Sequence, residues 1–350
     1  MRQFEIAGRP VGDDHPPYVI AEIGSNHNGD MGLCYELIDA AAECGVDAVK
    51  FQSWSSTSLV GESEYARNTT YADKKRHFGT LREMVEAYQF TPEMHEKALE
   101  RCRERGVAFL STPFSPEEVD LLERLGVGAH KVASMDVNHP LLLRKIGSTG
   151  KPVLLSTGMA TLGEVEAAVA TLREAGAGEV CLLHCVSIYP PDPRDVHLRN
   201  IPMLRTAFDA PVGFSDHTLG VAVPLAAVAL GACVIEKHFT IDKDMEGWDH
   251  WISADPEEMR RLVEEARLVH QTLGGSVRTV SEAEMEKRKR FRRRIVVRRA
   301  LPEGHVLTLD DIDFKRPGTG IHPNEYERVV GKRLTRAVER DHELEWSDLA

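Results

Sequence analysis

At 350 residues, 42% of them hydrophobic and with Gly and Pro at ordinary levels, the chain can bury a sizeable core and hold one large domain plus a small one. A formal net charge of -12 disfavours nucleic acid or an anionic membrane as the main partner. The N-terminal MRQFEIAGRPVGDDH has no apolar run of signal-peptide length, no stretch of about 18 uninterrupted apolar residues occurs, and six cysteines without a C-x-x-C pair point to a reduced, cytoplasmic compartment.

In chain order, short apolar runs recur as predicted strands: YVIAEIG (18–24), DAVKFQS (47–53), VAFLSTP (107–113), AHKVAS (129–134), PVLLSTG (152–158), EVCLLHCVS (179–187), PVGFSDH (211–217) and CVIEKHF (233–239). Between them lie LCYELIDAAAECG, PEEVDLLERLG, LGEVEAAVATLREAG and PLAAVALGA, with apolar residues at helical spacing and Gly near the end. Continuous apolar strands alternating with amphipathic helices imply parallel strands covered by helices. Eight such units in about 260 residues match a (β/α)8 barrel. The competing doubly wound sheet lacks a G-x-G-x-x-G after its first strand.

Residues 54–90 form a long connection before a predicted helix at 91–105, placed to act as a lid or substrate wall, with a plain surface loop as the alternative. After VRTVSEAEMEKRKRF the periodicity changes to short β-like pieces with the turn signals PEGH and RPGTG. The expected organisation is a barrel domain over 1–275, a linker over 276–291 and a small β-rich domain over 292–350. The basic run KRKRFRRR (287–294) reads as a charged linker rather than a nucleic-acid patch, with Arg292 or Arg293 nearing an anion site.

Polar residues gather near the end of each predicted strand, where a (β/α)8 barrel builds its active site. Glu22, Lys50, Gln52, Thr112, Lys131, Ser134, Ser156, Ser187, Ser215, His217, Glu236 and His238 occupy these positions. Side chains alternate along a strand, so Glu236 and His238 share a face and Lys237 lies on the other. His217 and His238 end successive strands, and two converging imidazoles make a credible divalent-metal site with Glu236 and solvent completing the shell. Two nitrogen donors, with water and a carboxylate, suit an octahedral ion such as Mn²⁺ or Mg²⁺ better than a closed zinc site. Lys50, Lys131 and the hydroxyls describe a cradle for a compact, multiply charged anion. The bland alternative pairs the two lysines with Glu22 and Asp136 as buried ion pairs.

Taken together, AEIGSNHNGD, VKFQ, FLSTPF, HKVASMD, LLSTGMA, LLHCVSIYP, GFSDHTLG, IEKHFT and KRPGTGIHP resemble the sialic acid synthase (N-acetylneuraminate synthase) family across nearly the whole chain. The terminal segment resembles the antifreeze-like (SAF) domain these enzymes carry. The resemblance implies condensation of phosphoenolpyruvate with an open-chain N-acetylated amino sugar to give a nonulosonic acid and phosphate. It implies phosphoenolpyruvate contacts from Lys50, Thr112, Lys131, Ser134, Ser156, Ser187 and Ser215, with Ser187 standing where the motif more often has Asn. It implies Mn²⁺ on His217 and His238, and sugar contacts from Gln52, Asn68, Tyr189, Asp249 and Arg316. Glu22, Lys50, Lys131 and Glu236 would carry the catalysis. Arg316 would reach the partner subunit's site in a domain-swapped homodimer.

Trp248 and Trp251 flank Asp249, and with Trp54 they form either a sugar-stacking wall or ordinary packing. The acceptor stays open among N-acetylmannosamine, a 6-deoxy-diacetamido sugar and a less common aldose. Two further readings are an aldolase acting on a sugar phosphate, which would need a basic cluster from Arg67, Lys74, Lys75 and Arg76, and a sugar-binding barrel without catalysis.

Overall fold

The computed structural model of the chain describes residues 3–69, 72–73, 76–77, 79–316 and 318–350, the side chains of 72, 73, 76 and 77 excepted. The chain divides into two compact units, Met1–Gly274 and Gly275–Ala350. The first opens with an antiparallel hairpin, β1 (Gln3–Ile6) and β2 (Arg9–Gly12), which the hydrophobic pattern did not announce.

There follow β3 (Tyr18–Gly24), α1 (Met31–Glu43), β4 (Ala48–Ser53), α2 (Glu62–Arg67), β5 (Ala72–Asp73), β6 (Arg76–His77), α3 (Leu81–Tyr88), α4 (Pro92–Arg105) and β7 (Ala108–Pro113). Next come α5 (Pro116–Leu125), β8 (His130–Val132), α6 (Pro140–Gly147), β9 (Val153–Ser156), α7 (Leu162–Glu174) and β10 (Val180–Cys185). The unit closes with α8 (Asn200–Phe208), β11 (Val212–Asp216), α9 (Ala222–Ala229), β12 (Val234–His238) and α10 (Pro256–Leu273). One parallel sheet of eight strands runs in the order β7-β4-β3-β12-β11-β10-β9-β8. Its end strands β7 and β8 pack side by side, so the sheet is a nearly closed barrel, the (β/α)8 architecture that the alternation predicted.

Local chemistry sets the helix limits. Asp30 accepts from the amides of Gly32 and Leu33 to start α1, and Asp255 and Glu258 form a capping box on α10. Gly106 and Gly126 end α4 and α5 in the left-handed conformation. Outward strand residues such as Val19, Val49, Phe109, Leu155 and Ile235 pack under the helices in the main core.

Inward residues follow the two-residue period and change character along each strand. Tyr18, Ile20, Ala48, Leu110, Ala129, Leu154, Cys181, Leu183 and Val234 fill the lower barrel, and Phe4, Ile6 and Val11 of the hairpin join them. One step of two further on stand Glu22, Lys50, Thr112, Lys131, Ser156, Cys185 and Glu236. The apolar floor thus holds a polar layer above it.

The described residues of the 54–90 connection include a packed cluster. Trp54, Tyr65, Leu81, Met84, Val85 and Tyr88 form a separate small core, with Leu59, Phe114 and Trp248 packed against it.

In the second unit, α11 (Glu282–Phe291) precedes the antiparallel pair β13 (Arg294–Val297) and β14 (Ile312–Lys315), and a short α12 (Tyr326–Val329) follows. Ile295, Val297, Leu301, Leu307, Ile312, Leu334 and Leu344 make its core. An internal repeat of the pattern R-x5-H-x5-D, missed in the sequence reading, supports it. Asp311 accepts from Arg299 at 2.8 Å and contacts His305 at 2.9 Å. Asp348 accepts from Arg336 at 2.7 Å and contacts His342 at 2.9 Å. The two buried carboxylates tie equivalent loops, and a bridge between Leu301 and Val338 joins the halves.

Candidate active site

A cavity of about 590 Å³ opens at the C-terminal ends of the barrel strands. Glu22, Lys50, Gln52, Thr112, Lys131, Ser134, Ser156, Ser187, Tyr189, Ser215, His217, Glu236, His238 and Asp249 all line it. Two predicted contacts stand elsewhere. Asn68 turns back on its own helix, its Nδ2 donating to the Glu64 carbonyl at 3.0 Å and to Glu64 Oε1 at 2.8 Å, because it ends α2. Arg316 belongs to the second unit, with its guanidinium 5.1 Å from the Phe291 ring centre.

At the cavity base, Lys50 Nζ lies 2.7 Å from Glu22 and 3.7 Å from Glu236, and donates to Thr112 Oγ1 at 3.0 Å. Lys131 Nζ donates to Ser156 Oγ at 2.7 Å and to the Val132 carbonyl at 2.9 Å, with Glu236 at 4.0 Å. The ion-pair alternative is therefore half realised. Glu22 does pair with Lys50, but Lys131 faces Glu236, not Asp136, whose Oδ2 has no hydrogen-bond partner among the described residues.

All four groups are nearly inaccessible, so burial and mutual charge compete. Burial raises the Glu22 pKa, and Glu236 adds to the rise against the pull of Lys50. For Glu236 burial also acts upward, but Lys131 and Lys50 together outweigh it and hold the carboxyl below its ordinary value. Burial lowers Lys131, whereas at Lys50 the charges of Glu22 and Glu236 overcome burial and raise the pKa. Two carboxyl groups are thus pushed apart, one toward accepting a proton and one toward staying ionised.

Ser215 Oγ donates to Glu236 Oε1 at 2.9 Å, and Gln52 Nε2 donates to Glu22 Oε1 at 2.7 Å. Beside them the Gly158 amide donates to Ser134 Oγ at 3.0 Å. A methyl group on Gly158 would come within 2.3 Å of Ser187 Oγ and 2.8 Å of Ser134 Oγ, so any larger residue would push these hydroxyls aside.

The His217 and His238 ring centres are 5.5 Å apart, and Tyr189 lies 4.0 Å from the first and 6.0 Å from the second. His217 Nδ1 lies 2.8 Å from the Val186 carbonyl, which can only accept, so this nitrogen carries a proton, and although burial pulls the ring's pKa down, Cys185, that carbonyl and Asp216 outweigh it and raise it. Burial, reinforced by His217 and Lys50, holds His238 far below the usual imidazole pKa and keeps it neutral. Its Nδ1 has no hydrogen-bond partner among the described residues, the nearest ion-pair contact being Asp249 at 3.8 Å. These two donors fit a divalent cation. Among the described residues no third His, Cys, Asp or Glu joins them, so water and substrate would complete the shell.

The remaining walls are apolar. Trp54 meets Phe114 at 5.8 Å and Trp248 at 6.2 Å, both edge-on, and Leu59, Met135, Met159 and Trp251 complete the lining. The sequence reading named the tryptophans but missed Cys185, Met135 and Met159. Cys185 was reachable by counting back two from Ser187, since both face inward. Of the basic cluster a sugar phosphate would need, Arg67 pairs with Glu64 on the exposed side of α2 at 3.8 Å. Lys74 and Lys75 lie outside the described residues, as does the Arg76 side chain. No helix among the described residues is long and apolar enough to cross a membrane.

The fold and the polar layer define a barrel with two buried lysines beside two imidazoles in one cavity. Comparison with known proteins gives the family: the NeuB family model matches residues 37–278 and the SAF domain model matches residues 292–350. The chain belongs to the NeuB family. It is 40% identical to an uncharacterized protein of Methanocaldococcus jannaschii over 100% of this chain and 99% of that protein. It is 39% identical to N,N'-diacetyllegionaminic acid synthase of Legionella pneumophila, covering 97% of each. Among solved structures, N-acetylneuraminic acid synthetase of Leptospira borgpetersenii aligns with a TM-score of 0.74 at 33% identity, over 82% of this chain and 95% of that one.

Proposed function

We propose that this chain is a nonulosonic acid synthase that condenses phosphoenolpyruvate with the open-chain form of an unphosphorylated N-acylated amino sugar, releasing phosphate. The observation that carries this reading is the pair of buried ammonium groups, Lys50 and Lys131, each already hydrogen-bonded to a hydroxyl and sharing one cavity with His217 and His238. Two cations with convergent hydroxyls suit an anion bearing both phosphate and carboxylate. The names of relatives such as N,N'-diacetyllegionaminic acid synthase support the product class.

In this reading Lys50 and Lys131, with Thr112, Ser134, Ser156 and Ser187, hold the two anionic groups of phosphoenolpyruvate in reactive register. His217 and His238 would hold a divalent cation, Mn²⁺ in the first instance, which when bound would supply Lewis acidity to the site. Gln52, Tyr189 and Asp249 orient the aldose so that its aldehyde carbon faces C3 of the enol phosphate. The new C–C bond uses the enol π electrons, the aldehyde C–O π pair moves onto its oxygen, and C2 is left electron-poor. Glu236, kept ionised by the lysines, would stabilise that positive charge. Water adds at C2 and gives one proton to Glu22, whose raised pKa suits it to accept that proton and pass it to the new sugar oxygen. Cleavage of the C2–O bond then expels phosphate, which takes up the proton of the remaining C2 hydroxyl as that oxygen becomes the ketone.

Phosphate release from phosphoenolpyruvate, measured with a panel of aldoses in the presence and absence of Mn²⁺, tests this directly. An N-acylated aldose should support turnover, and His217→Ala should abolish it without unfolding the chain. Near-normal turnover by His217→Ala would remove that residue from the site.

A further inference from the structure

The sequence VIEKHFT places an ionisable residue between Glu236 and His238, and Lys237 points away from the cavity. It is 1% exposed and faces an equally buried Asp216, its register partner on the neighbouring strand. Lys237 Nζ donates to Asp216 Oδ2 at 2.7 Å and to the Thr218 carbonyl at 2.5 Å. Asp216 Oδ1 in turn accepts from the Thr218 amide at 2.9 Å. One ammonium therefore grips both residues that flank His217, while Lys237 itself immediately precedes His238.

We propose that Lys237 and Asp216 are positioning residues that lock the two imidazoles into a single cation-binding geometry. The inference rests on the two-histidine reading above. Its physical basis is that a buried ion pair adds little stability over apolar residues of the same size, whereas its directional bonds fix geometry. Here those bonds converge on the turn carrying one imidazole and start from the residue beside the other. A β-strand end without them is free to rotate His217 about its flanking peptides. The Val186 carbonyl would remain as the ring's hydrogen-bond partner.

The test uses the full-length protein and Mn²⁺ alone, counted by the electron paramagnetic resonance of the unbound ion, a readout independent of turnover. The double variant Lys237→Met with Asp216→Asn removes both charges together, so neither is left buried and unpaired. It should keep wild-type circular dichroism and wild-type phosphoenolpyruvate affinity, yet bind Mn²⁺ about ten-fold or more weakly, the usual cost of losing support behind a metal ligand. Lys237→Gln, whose amide can still donate to the Thr218 carbonyl, should retain part of that affinity. Wild-type Mn²⁺ affinity in either variant overturns the proposal. If the unmodified protein itself binds no Mn²⁺, the two-histidine reading has failed, and the proposal falls with it.

Discussion

Lys50→Met gives the sharpest view of how the cavity base is balanced. The substitution keeps an unbranched side chain of similar reach but leaves Glu22, which lay 2.7 Å from the ammonium, buried beside Glu236 with only Gln52 donating to it. Glu236 retains Lys131 at 4.0 Å, so Glu22 is the orphan. Removing one partner of a buried pair costs about 3 kcal/mol or more, and losing the bond to Thr112 adds about 1 kcal/mol. The pH dependence follows from the direction of the shift. Without Lys50 the folded-state pKa of Glu22 climbs further above its unfolded value of about 4.3, so the fold binds the extra proton and the penalty grows as pH rises through that window. Urea denaturation should therefore show the variant destabilised by about 4 kcal/mol near pH 8 and by little more than the ~1 kcal/mol of the lost Thr112 bond near pH 5. Adding Glu22→Gln should restore most of the loss. Equal stability of Lys50→Met and wild type at both pH values would refute the reasoning.

Other expectations concern the neighbouring groups and the assembly. Gly158→Ala forces Ser134 and Ser187 apart and should weaken phosphoenolpyruvate binding by about ten-fold in calorimetry with little change in circular dichroism; wild-type affinity would show that these hydroxyls do not form the cradle. Burial raises the Asp136 pKa to about 6, so its ionisation opposes folding increasingly as pH rises from the unfolded value toward that point. Asp136→Asn should accordingly raise the melting temperature near pH 8 more than near pH 5, and a pH-independent effect would contradict this. If Arg316 serves the acceptor of a second copy, co-expressed Arg316→Ala and His217→Ala chains should form mixed dimers with one complete site and activity above either parent. Failure to complement would place Arg316 outside the partner subunit's site.

The strand pattern was legible because most barrel strands are apolar along their lower part and turn polar near their ends, above all on the inward face. Leu154 followed by Ser156, and Val234 followed by Glu236, carry that signal in three residues each. The N-terminal hairpin was not legible, because Phe4, Ile6 and Val11 are too few and too spread to mark a period and acquire meaning only against the barrel floor. The place of Asn68 at the end of a short helix was not legible, because its bond to the Glu64 carbonyl depends on where α2 stops. The partner of Lys131 was hidden for a different reason. Asp136 is closer in sequence, but Glu236 reaches it across the barrel interior, and chain separation says nothing about inward neighbours. Even for Lys237, alternation gave the direction but not the Asp216 partner one strand away.

The account stands or falls on the bond broken at C2. Phosphoenolpyruvate carrying ¹⁸O in the bridge between C2 and phosphorus, turned over with the best aldose and Mn²⁺ in ordinary water, should deliver that label to inorganic phosphate while the sugar acid takes its ketone oxygen from solvent. Label retained in the sugar acid, or no phosphate released with any aldose, would contradict it.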